Sequence, residues 1–235
     1  MAKAFGFTRT IKLSWLDKVV ELMFEGLTII EIKEQLDDYL GFEIKDKTNI
    51  GKARNILVKI WVDVDESNRG IRDTALSLYK KFPDYAIALH WGMMLLAYPI
   101  FSDLCRLVGR TNELSDVITL KQIQKKLYDE WGESSTLYYS IQKLMSSLKN
   151  IGVLSLEKAG TYKVQSHKIE CPDVVDFLLS IFMKIDGGSY YTFNDICSSI
   201  YMFPFEYAVS KEQLMLDDRF NVTTFDGQLT VALKC

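Results

Sequence analysis

Eighteen consecutive residues, 85 to 102, carry no formal charge, and this stretch limits what the chain can fold into. Its length reaches the lower limit for a helix that crosses a lipid bilayer, so a membrane-associated protein is one alternative. His90, Gly92 and Pro99 dilute its apolar character, however, and an aspartate closes it at each end. We therefore predict a buried central helix, at about 84 to 108, in a protein that does not cross a membrane.

The composition is typical of a soluble globular protein. Of the 235 residues, 48% are hydrophobic and 25% are charged, which suits one large domain or two to three small domains packed together. The four cysteines are widely spaced and form no CxxC pair, so neither a zinc motif nor a redox motif is predicted. The first fifteen residues lack the apolar core of a signal peptide. We expect a cytoplasmic protein without a cofactor or a bound metal.

The first half of the chain has the apolar periodicity of successive helices. Residues 14 to 40 carry two apolar stripes separated at Gly26, and Thr28 is placed to cap the second helix. This pattern is typical of a helix-turn-helix and also of an ordinary helical hairpin. A third helix, at about 49 to 64, is rich in positive charge. Its cations that are predicted to contact DNA phosphates are Lys52, Arg54 and Lys59. A solvated helix face has the same pattern.

Two polar stretches divide the helices that follow. Residues 63 to 70, DVDESNRG, predict a loop. The acids of this loop can ligate a divalent cation, but the spacing of a calcium loop does not follow them, so no metal site is predicted. Helices are expected at about 71 to 82 and 84 to 108. The polar run GRTNELSD, 109 to 116, is then expected to be a break.

Residues 119 to 164 have the element order of a winged helix. Thr119 and Gln122 form the capping-box pattern that starts a helix, and Ser134 or Ser135 is placed to cap a second helix after a short turn. The apolar stripe of the second helix consists of Ile141, Leu144, Met145, Leu148 and Ile151. Two short strands around EKAG then form a hairpin, the wing. In a winged helix the second helix enters the major groove of DNA, and lysines on the wing reach phosphates.

The predicted DNA-binding surface has hydrogen-bond donors and no acids on its helical face. The residues of that face are Ser135, Thr136, Tyr139, Gln142, Lys143 and Lys149. The lysines assigned to further phosphate contacts are Lys121 and Lys125 on the preceding helix, and Lys158 and Lys163 on the wing. The face has no arginine for bidentate reading of guanine, so we expect phosphates to dominate binding. Winged helices also serve as protein-docking or purely structural modules, and that alternative stays open.

Charge is distributed unevenly along the chain. The net charge is −1 over residues 1 to 118, +4 over 119 to 169 and −6 over 170 to 235, so the predicted winged helix lies in the only net-positive segment. The last segment is expected to repeat the same plan. It has three predicted helices, VVDFLLSIFMK, FNDICSSIYMF and EYAVSKEQLML, and a hairpin around Asp226 and Gly227. Its negative charge would repel phosphates, so we expect it to contact protein.

The chain resembles the BrxA proteins of the bacterial BREX phage-defence systems. The segments that carry the resemblance are EGLTIIEIKEQL, NIGKARNILVKIW, ALHWGMMLLAYPIFSDLCR and, most strongly, WGESSTLYYSIQKLMSSLKNIGVL. The resemblance covers residues 15 to 156 as a pattern of helices and includes no catalytic signature. It implies a helical, DNA-binding accessory component of defence, whose contacts map to Ser134 to Lys149 and to Lys52 to Lys59. The long extension after the wing departs from the family pattern.

Catalytic motifs are absent from the sequence. His90 and His167 are the only histidines, and neither belongs to a recognisable nucleophile signature, so each is expected to be structural. The glycine-rich motifs that hold nucleotide phosphates are also absent. We therefore expect a non-enzymatic protein that binds double-stranded DNA. The alternatives are RNA as the ligand, or a protein-interaction adaptor with no nucleic-acid contact.

The expected fold class is mostly α, in three parts. Residues 1 to 116 are expected to form a helical domain with helix-turn-helix character, and residues 117 to 169 a winged helix. Residues 170 to 235 are expected to form a second, winged-helix-like α+β unit that docks other proteins of the defence system.

Overall fold

The computed structural model describes residues 6 to 225 and 227 to 234, except the side chain of Phe225. Within these residues the fold is mostly helical and has three small sheets, which confirms the mostly-α prediction. The helices are α1 (Leu13–Phe24), α2 (Ile29–Gly41), α3 (Lys47–Trp61), α4 (Arg69–Lys81), α5 (Ala86–Ala97), α6 (Pro99–Leu114), α7 (Leu120–Trp131), α8 (Ser135–Asn150), α9 (Pro172–Asp186), α10 (Phe193–Cys197) and α11 (Lys211–Leu216). The strands are β1 (Ile118–Thr119), β2 (Leu154–Lys158), β3 (Thr161–Val164), β4 (His167–Ile169), β5 (Tyr191–Thr192), β6 (Phe205–Tyr207), β7 (Phe220–Phe225) and β8 (Gln228–Leu233).

The first two helices form where the sequence predicts them. Thr28 is the N-cap of α2, and its side chain and that of Glu31 exchange hydrogen bonds with each other's backbone N–H groups. This capping box satisfies donors that the first turn of a helix leaves unpaired. The buried faces include Leu16 on α1 and Leu36 on α2. Phe24 continues the apolar stripe of the first helix in the sequence, but the structure leaves it exposed at the end of α1.

The uncharged stretch forms two helices, not the single helix predicted at about 84 to 108. The chain leaves helical geometry at Tyr98, between α5 and α6, and the two helices are bent by 119° when the short turn before α5 is included. Pro99 is the physical reason, because a proline disfavours the helical conformation of the residue before it. Most residues of α5 are buried, which confirms a central buried helix.

The predicted polar break and loop are both shorter in the structure. Helix α6 continues through most of 109 to 116 and ends at Leu114, because Gly109 and Thr111 are buried against the rest of the protein. In the predicted loop 63 to 70, a 3-10 turn covers Glu66–Asn68 and α4 already begins at Arg69. Polar composition alone did not show these helical ends.

No single helix in the described part of the chain is long and apolar enough to cross a membrane. Taken together, Pro83–Ala97 and Pro99–Leu114 have the length and apolar composition of a membrane span, but they form a bent pair and not one straight helix.

Two of the sheets share one topology. The strand order is β1-β3-β2 in one and β5-β8-β7 in the other, and both are antiparallel. In each sheet the two-residue first strand ends in a threonine that caps the next helix, Thr119 for α7 and Thr192 for α10. Their cross-strand partners are Thr161 and Thr230. The segment after 170 therefore repeats the order strand, helix, helix, strand, strand, with the additional strand β6 between its two helices.

Residues 193 to 216 depart from the two long helices predicted there. Helix α10 ends after five residues, at Cys197. A 3-10 turn follows at Ile200–Met202, and strand β6 comes next. Pro204 interrupts helical geometry here, and β6 pairs in parallel with β4, so that His167 lies opposite Phe205. Helix α11 then begins after Ser210, whose side chain accepts a hydrogen bond from the backbone N–H of Gln213.

One cluster of buried apolar side chains extends through all three predicted parts of the chain. Helix α5 packs against α9 at Gly92, where a Cβ would lie 2.7 Å from Ile181 Cδ1. The indole N–H of Trp91 donates to the carbonyl oxygen of Tyr201 at 3.0 Å. The acidic C-terminal segment therefore packs on the helical N-terminal part and contributes to its core.

Candidate nucleic-acid interface

Helix α7 and the β2-β3 hairpin meet at the start of the helix. The side-chain oxygen of Thr119 accepts from the backbone N–H of Gln122, and the Gln122 side chain accepts from Thr119, which confirms the predicted capping box. The backbone N–H of Leu120 donates to the carbonyl oxygen of Gly160 at 2.9 Å. Gly160 has a φ of +71° at the hairpin turn, a conformation that glycine adopts without strain. These contacts bring Lys121 close to the hairpin turn.

Helix α8 begins and packs as the sequence predicts. The side-chain oxygen of Ser134 caps it by accepting from the backbone N–H of Leu137 at 3.2 Å. The five residues of its apolar stripe, which are all buried, are Ile141, Leu144, Met145, Leu148 and Ile151. The exposed members of the opposite face are Ser135, Thr136, Tyr139 and Lys149, while Gln142 and Lys143 are half-buried. One side of α8 therefore anchors the helix, and the other side meets solvent.

The last turn of α8 is partly covered by the segment that precedes α1. The backbone N–H of Ile11 donates to the Ser147 hydroxyl at 3.0 Å, and the Asn150 side chain donates to the carbonyl oxygen of Ile11. Both bonds lie toward the C-terminal end of the helix. The N-terminal half of α8 is consequently the more open part of the predicted face.

Most of the predicted phosphate-binding lysines have free ammonium groups. The six that form no ion pair with any described residue are Lys121, Lys125, Lys143, Lys149, Lys158 and Lys163. Five of them are exposed, and Lys143 is half-buried. On β3, Lys163 lies opposite Ser155 of β2. Lys168, just after the hairpin, is paired with Glu170 at 2.5 Å. Because free ammonium groups keep their charge available, the described surface of α7, α8 and the hairpin can attract anions.

The basic helix α3 offers fewer free charges than its sequence indicates. Arg54 is paired with Asp37 of α2. The ammonium group of Lys59 lies 4.8 Å from the ring centroid of Tyr98, in a cation–π contact. Lys52 is exposed and forms no ion pair with a described residue. Of the three predicted phosphate contacts on α3, only Lys52 has an unengaged cation.

Tyr138 is an exposed aromatic residue of this surface that the sequence did not single out. Its side chain is 40% exposed, beside Tyr139 at 61%. The ring centroids are 5.3 Å apart, and the ring planes are nearly perpendicular at 81°. At about 100° per residue, the two tyrosines flank Ser135 and Gln142 on the helix surface. The adjacent pair of tyrosines in a polar stretch was the available signal.

His90 lies in a buried hydrogen-bond network that occupies both ring nitrogens. The indole N–H of Trp61 donates to Nδ1 at 3.0 Å, so the proton is on Nε2, which donates to Asp17 at 2.9 Å. The Tyr79 hydroxyl donates to the same carboxylate at 2.7 Å. Burial lowers the pKa of His90, and the Asp17 carboxylate only partly opposes this. His90 is therefore a satisfied structural histidine, as predicted.

The second histidine is also held by a hydrogen bond. Nε2 of His167 lies 3.0 Å from the carbonyl oxygen of Gly152, which follows α8. Gly152 has a φ of +86°, so the chain turns there into the hairpin. Among the residues that the structure describes, no group of three or more His, Cys, Asp or Glu side chains is arranged to hold a metal ion.

The surface formed by α7, α8 and the β2-β3 hairpin combines ammonium groups, hydroxyl groups and two aromatic rings. Ammonium and hydroxyl groups are the usual donors to phosphate oxygens, and polar side chains on a helix are suited to base edges. A surface with these groups has the donors that an anionic ligand requires. No family model, no curated protein and no solved structure matches this chain.

Proposed function

We propose that the protein is a non-enzymatic, DNA-binding accessory protein whose binding unit is a winged helix at residues 117 to 169. Helix α8 is the recognition helix, and the β2-β3 hairpin is the wing. The observation that carries the proposal is the set of six lysines on α7, α8 and the hairpin whose ammonium groups form no ion pair with any described residue. Phosphate binding requires unpaired ammonium groups, and the exposed face of α8 carries no acid beside them.

The sheet order supports the winged-helix assignment. In β1-β3-β2, the short strand before α7 pairs with the second strand of the hairpin. That pairing fixes the hairpin beside the start of α7. Lys121 at the helix start and Lys158 on the hairpin then lie at one edge of the unit, where they flank a bound duplex on the wing side.

Helix α3 has a smaller part in this proposal than its sequence predicts. Arg54 is paired with Asp37, which removes one of the phosphate contacts predicted on α3. Lys59 forms a cation–π contact with Tyr98. Lys52 remains as an auxiliary contact. The resemblance to BrxA proteins supports a place in phage defence, in which this protein binds DNA and other components act on it.

Binding is proposed to have weak sequence preference and strong salt dependence. The face of α8 has lysines and hydroxyl groups but no arginine, so it lacks the bidentate contacts to guanine that give strong base discrimination. Each phosphate that a lysine neutralises releases counterions, which makes affinity fall as salt rises.

The test is a gel-shift titration of the full chain on unrelated short duplexes at two salt concentrations. The variant Lys143→Ala with Lys149→Ala is expected to bind all sequences more weakly, and to lower the log–log salt slope by about 1 for each lost phosphate contact. Lys80→Ala is the matched control, since Lys80 is an exposed lysine on α4 without an ion pair to a described residue. An unchanged slope in the double variant would place the interface elsewhere. Undetectable binding of the unmodified chain at low salt would refute the proposal.

The C-terminal segment is proposed to dock a protein partner. Its net charge of −6 disfavours phosphates, and α11 exposes Met215 and Leu216 to solvent. Exposed apolar side chains within an acidic unit are suited to a protein surface. Because α9 of this segment packs on α5, removing the whole segment would expose the core. Substituting Met215 and Leu216 by glutamate is expected to weaken the binding of a protein partner and to leave DNA binding unchanged. Measuring both therefore separates docking from DNA binding.

A further inference from the structure

The two exposed tyrosines of α8 form no aromatic or cation–π contact with a described residue outside their own pair. Neither the Tyr138 nor the Tyr139 hydroxyl forms a hydrogen bond with a described residue. Tyr139, at 61% exposed, leaves most of its ring in water. Aromatic rings provide large contact areas when a ligand covers them. The pair lies on the open, N-terminal half of the face that is proposed to meet DNA.

A perfect duplex offers these rings little to cover them. Base faces in a duplex are occupied by neighbouring base pairs, so its grooves present base edges, sugars and phosphates. An unpaired base exposes its π-face, and stacking on an aromatic side chain is then a strong contact that tolerates any base. The ring chemistry therefore favours a nucleic acid that has locally unpaired bases.

The geometry of the pair fits one stacking ring and one supporting ring. Because the two planes meet at 81°, only one ring at a time can lie parallel to a given base. Tyr139 is the more exposed ring and offers the free face. Tyr138 contacts it edge to face, an arrangement that aromatic pairs prefer and that holds the ring in place.

We propose that Tyr139 stacks on an unpaired base of the bound DNA and that Tyr138 positions its ring. The inference rests on the proposed function, because it uses the same face of α8. Lys143 lies four residues after Tyr139, so it is adjacent on the helix surface, and its ammonium group is free to bind a phosphate next to the stacked base. The ligand is thus DNA that contains a bubble, a junction or a single-stranded segment.

The test compares three labelled probes of one sequence by fluorescence anisotropy with the full chain. The probes are a perfect duplex, the same duplex with a central mismatch bubble, and the single strand. The bubble is expected to bind about 5- to 150-fold more tightly than the perfect duplex, the range that one stacked base provides. Tyr139→Ala is expected to abolish this preference, and Tyr139→Phe to keep it. Tyr139→Leu, which keeps apolar area without a π-face, is expected to lose it.

Tyr190→Ala is the matched control. Tyr190 is 63% exposed, almost the same as Tyr139, but lies in the C-terminal segment, so its removal is expected to leave the bubble preference unchanged. Equal affinities for the bubble and the perfect duplex would overturn the stacking inference while leaving the proposed function intact. A Tyr139→Ala variant that weakens both probes by the same factor would also overturn it. Absence of binding to all three probes would instead overturn the proposed function.

Discussion

Asp176 is a buried carboxyl group whose replacement by asparagine should change the pH dependence of stability in a defined direction. It is 3% exposed on α9, and its Oδ1 accepts a hydrogen bond from the Gln213 side chain at 2.5 Å. Burial, reinforced by the charge of Asp217, raises the pKa of Asp176 from its ordinary value of 3.8 to about 6. The folded protein therefore holds a proton that the unfolded chain releases.

The sign and size of the effect follow from that difference. Because the folded pKa is raised, the contribution of Asp176 to stability is fully present below about pH 4 and is lost as the pH rises through 6. Each pKa unit corresponds to about 1.4 kcal/mol, and part of the effect is already present at pH 4, so the loss between pH 4 and pH 7 amounts to about 2.5 kcal/mol. Asparagine stays neutral, and it can accept from Gln213 and donate to Asp217 as the protonated acid does.

The assay is urea unfolding of the parent chain and of Asp176→Asn at several pH values from 4 to 7. The two proteins are expected to have similar free energies of unfolding near pH 4, and the variant to become more stable by about 2.5 kcal/mol at pH 7. Subtracting the two curves removes the contributions of all other titrating groups. Asp129→Asn on α7, at an exposed aspartate without an ion pair to a described residue, is the control, and its difference from the parent should stay within about 0.5 kcal/mol. A pH-independent difference for Asp176→Asn would refute the reasoning.

Two further predictions concern packing and the buried histidine. Gly109→Ala is expected to destabilise the protein by about 3 kcal/mol or more, because the new Cβ would collide with the carbonyl oxygen of Ile200. Gly70→Ala on α4 is the control, since a Cβ there would have nothing within 4 Å, and it should be neutral or slightly stabilising. Thermal unfolding of the two variants compares them. His90→Phe is expected to cost about 1–3 kcal/mol, because the buried Trp61 N–H loses its acceptor. Burial lowers the pKa of His90 below 6.5, so the parent loses stability as the pH falls through 6.5, and the variant should lack this loss in acid unfolding.

The local features of the candidate interface could be predicted from the sequence. The caps at Thr119 and Ser134 are present in the structure, and the apolar stripe of α8 is buried. Each of these features links residues three or four positions apart, so its physics is contained in a short window of sequence. The β2-β3 hairpin is equally local. The exposed face of α8 follows as the complement of its buried stripe.

The availability of the predicted cations could not be read from the sequence. In the sequence, Arg54 and Lys143 are both cationic residues on the polar face of a predicted helix. The structure pairs Arg54 with Asp37 on a neighbouring helix, whereas Lys143 forms no ion pair with a described residue. An ion pair between helices depends on their packing, which no periodicity within one helix records. Tyr138 was missed for a related reason, since its exposure depends on what packs around α8.

The sequence by itself determined the mostly helical class, the starts of the capped helices and the charge of each segment, because propensity, capping and composition act locally. The tertiary structure alone decided how β4 pairs in parallel with β6, and that Trp61 and Asp17 satisfy His90. These outcomes join residues that lie far apart in the chain. They are settled by which apolar faces the whole protein buries together, since burial of a shared core is the largest favourable contribution to folding.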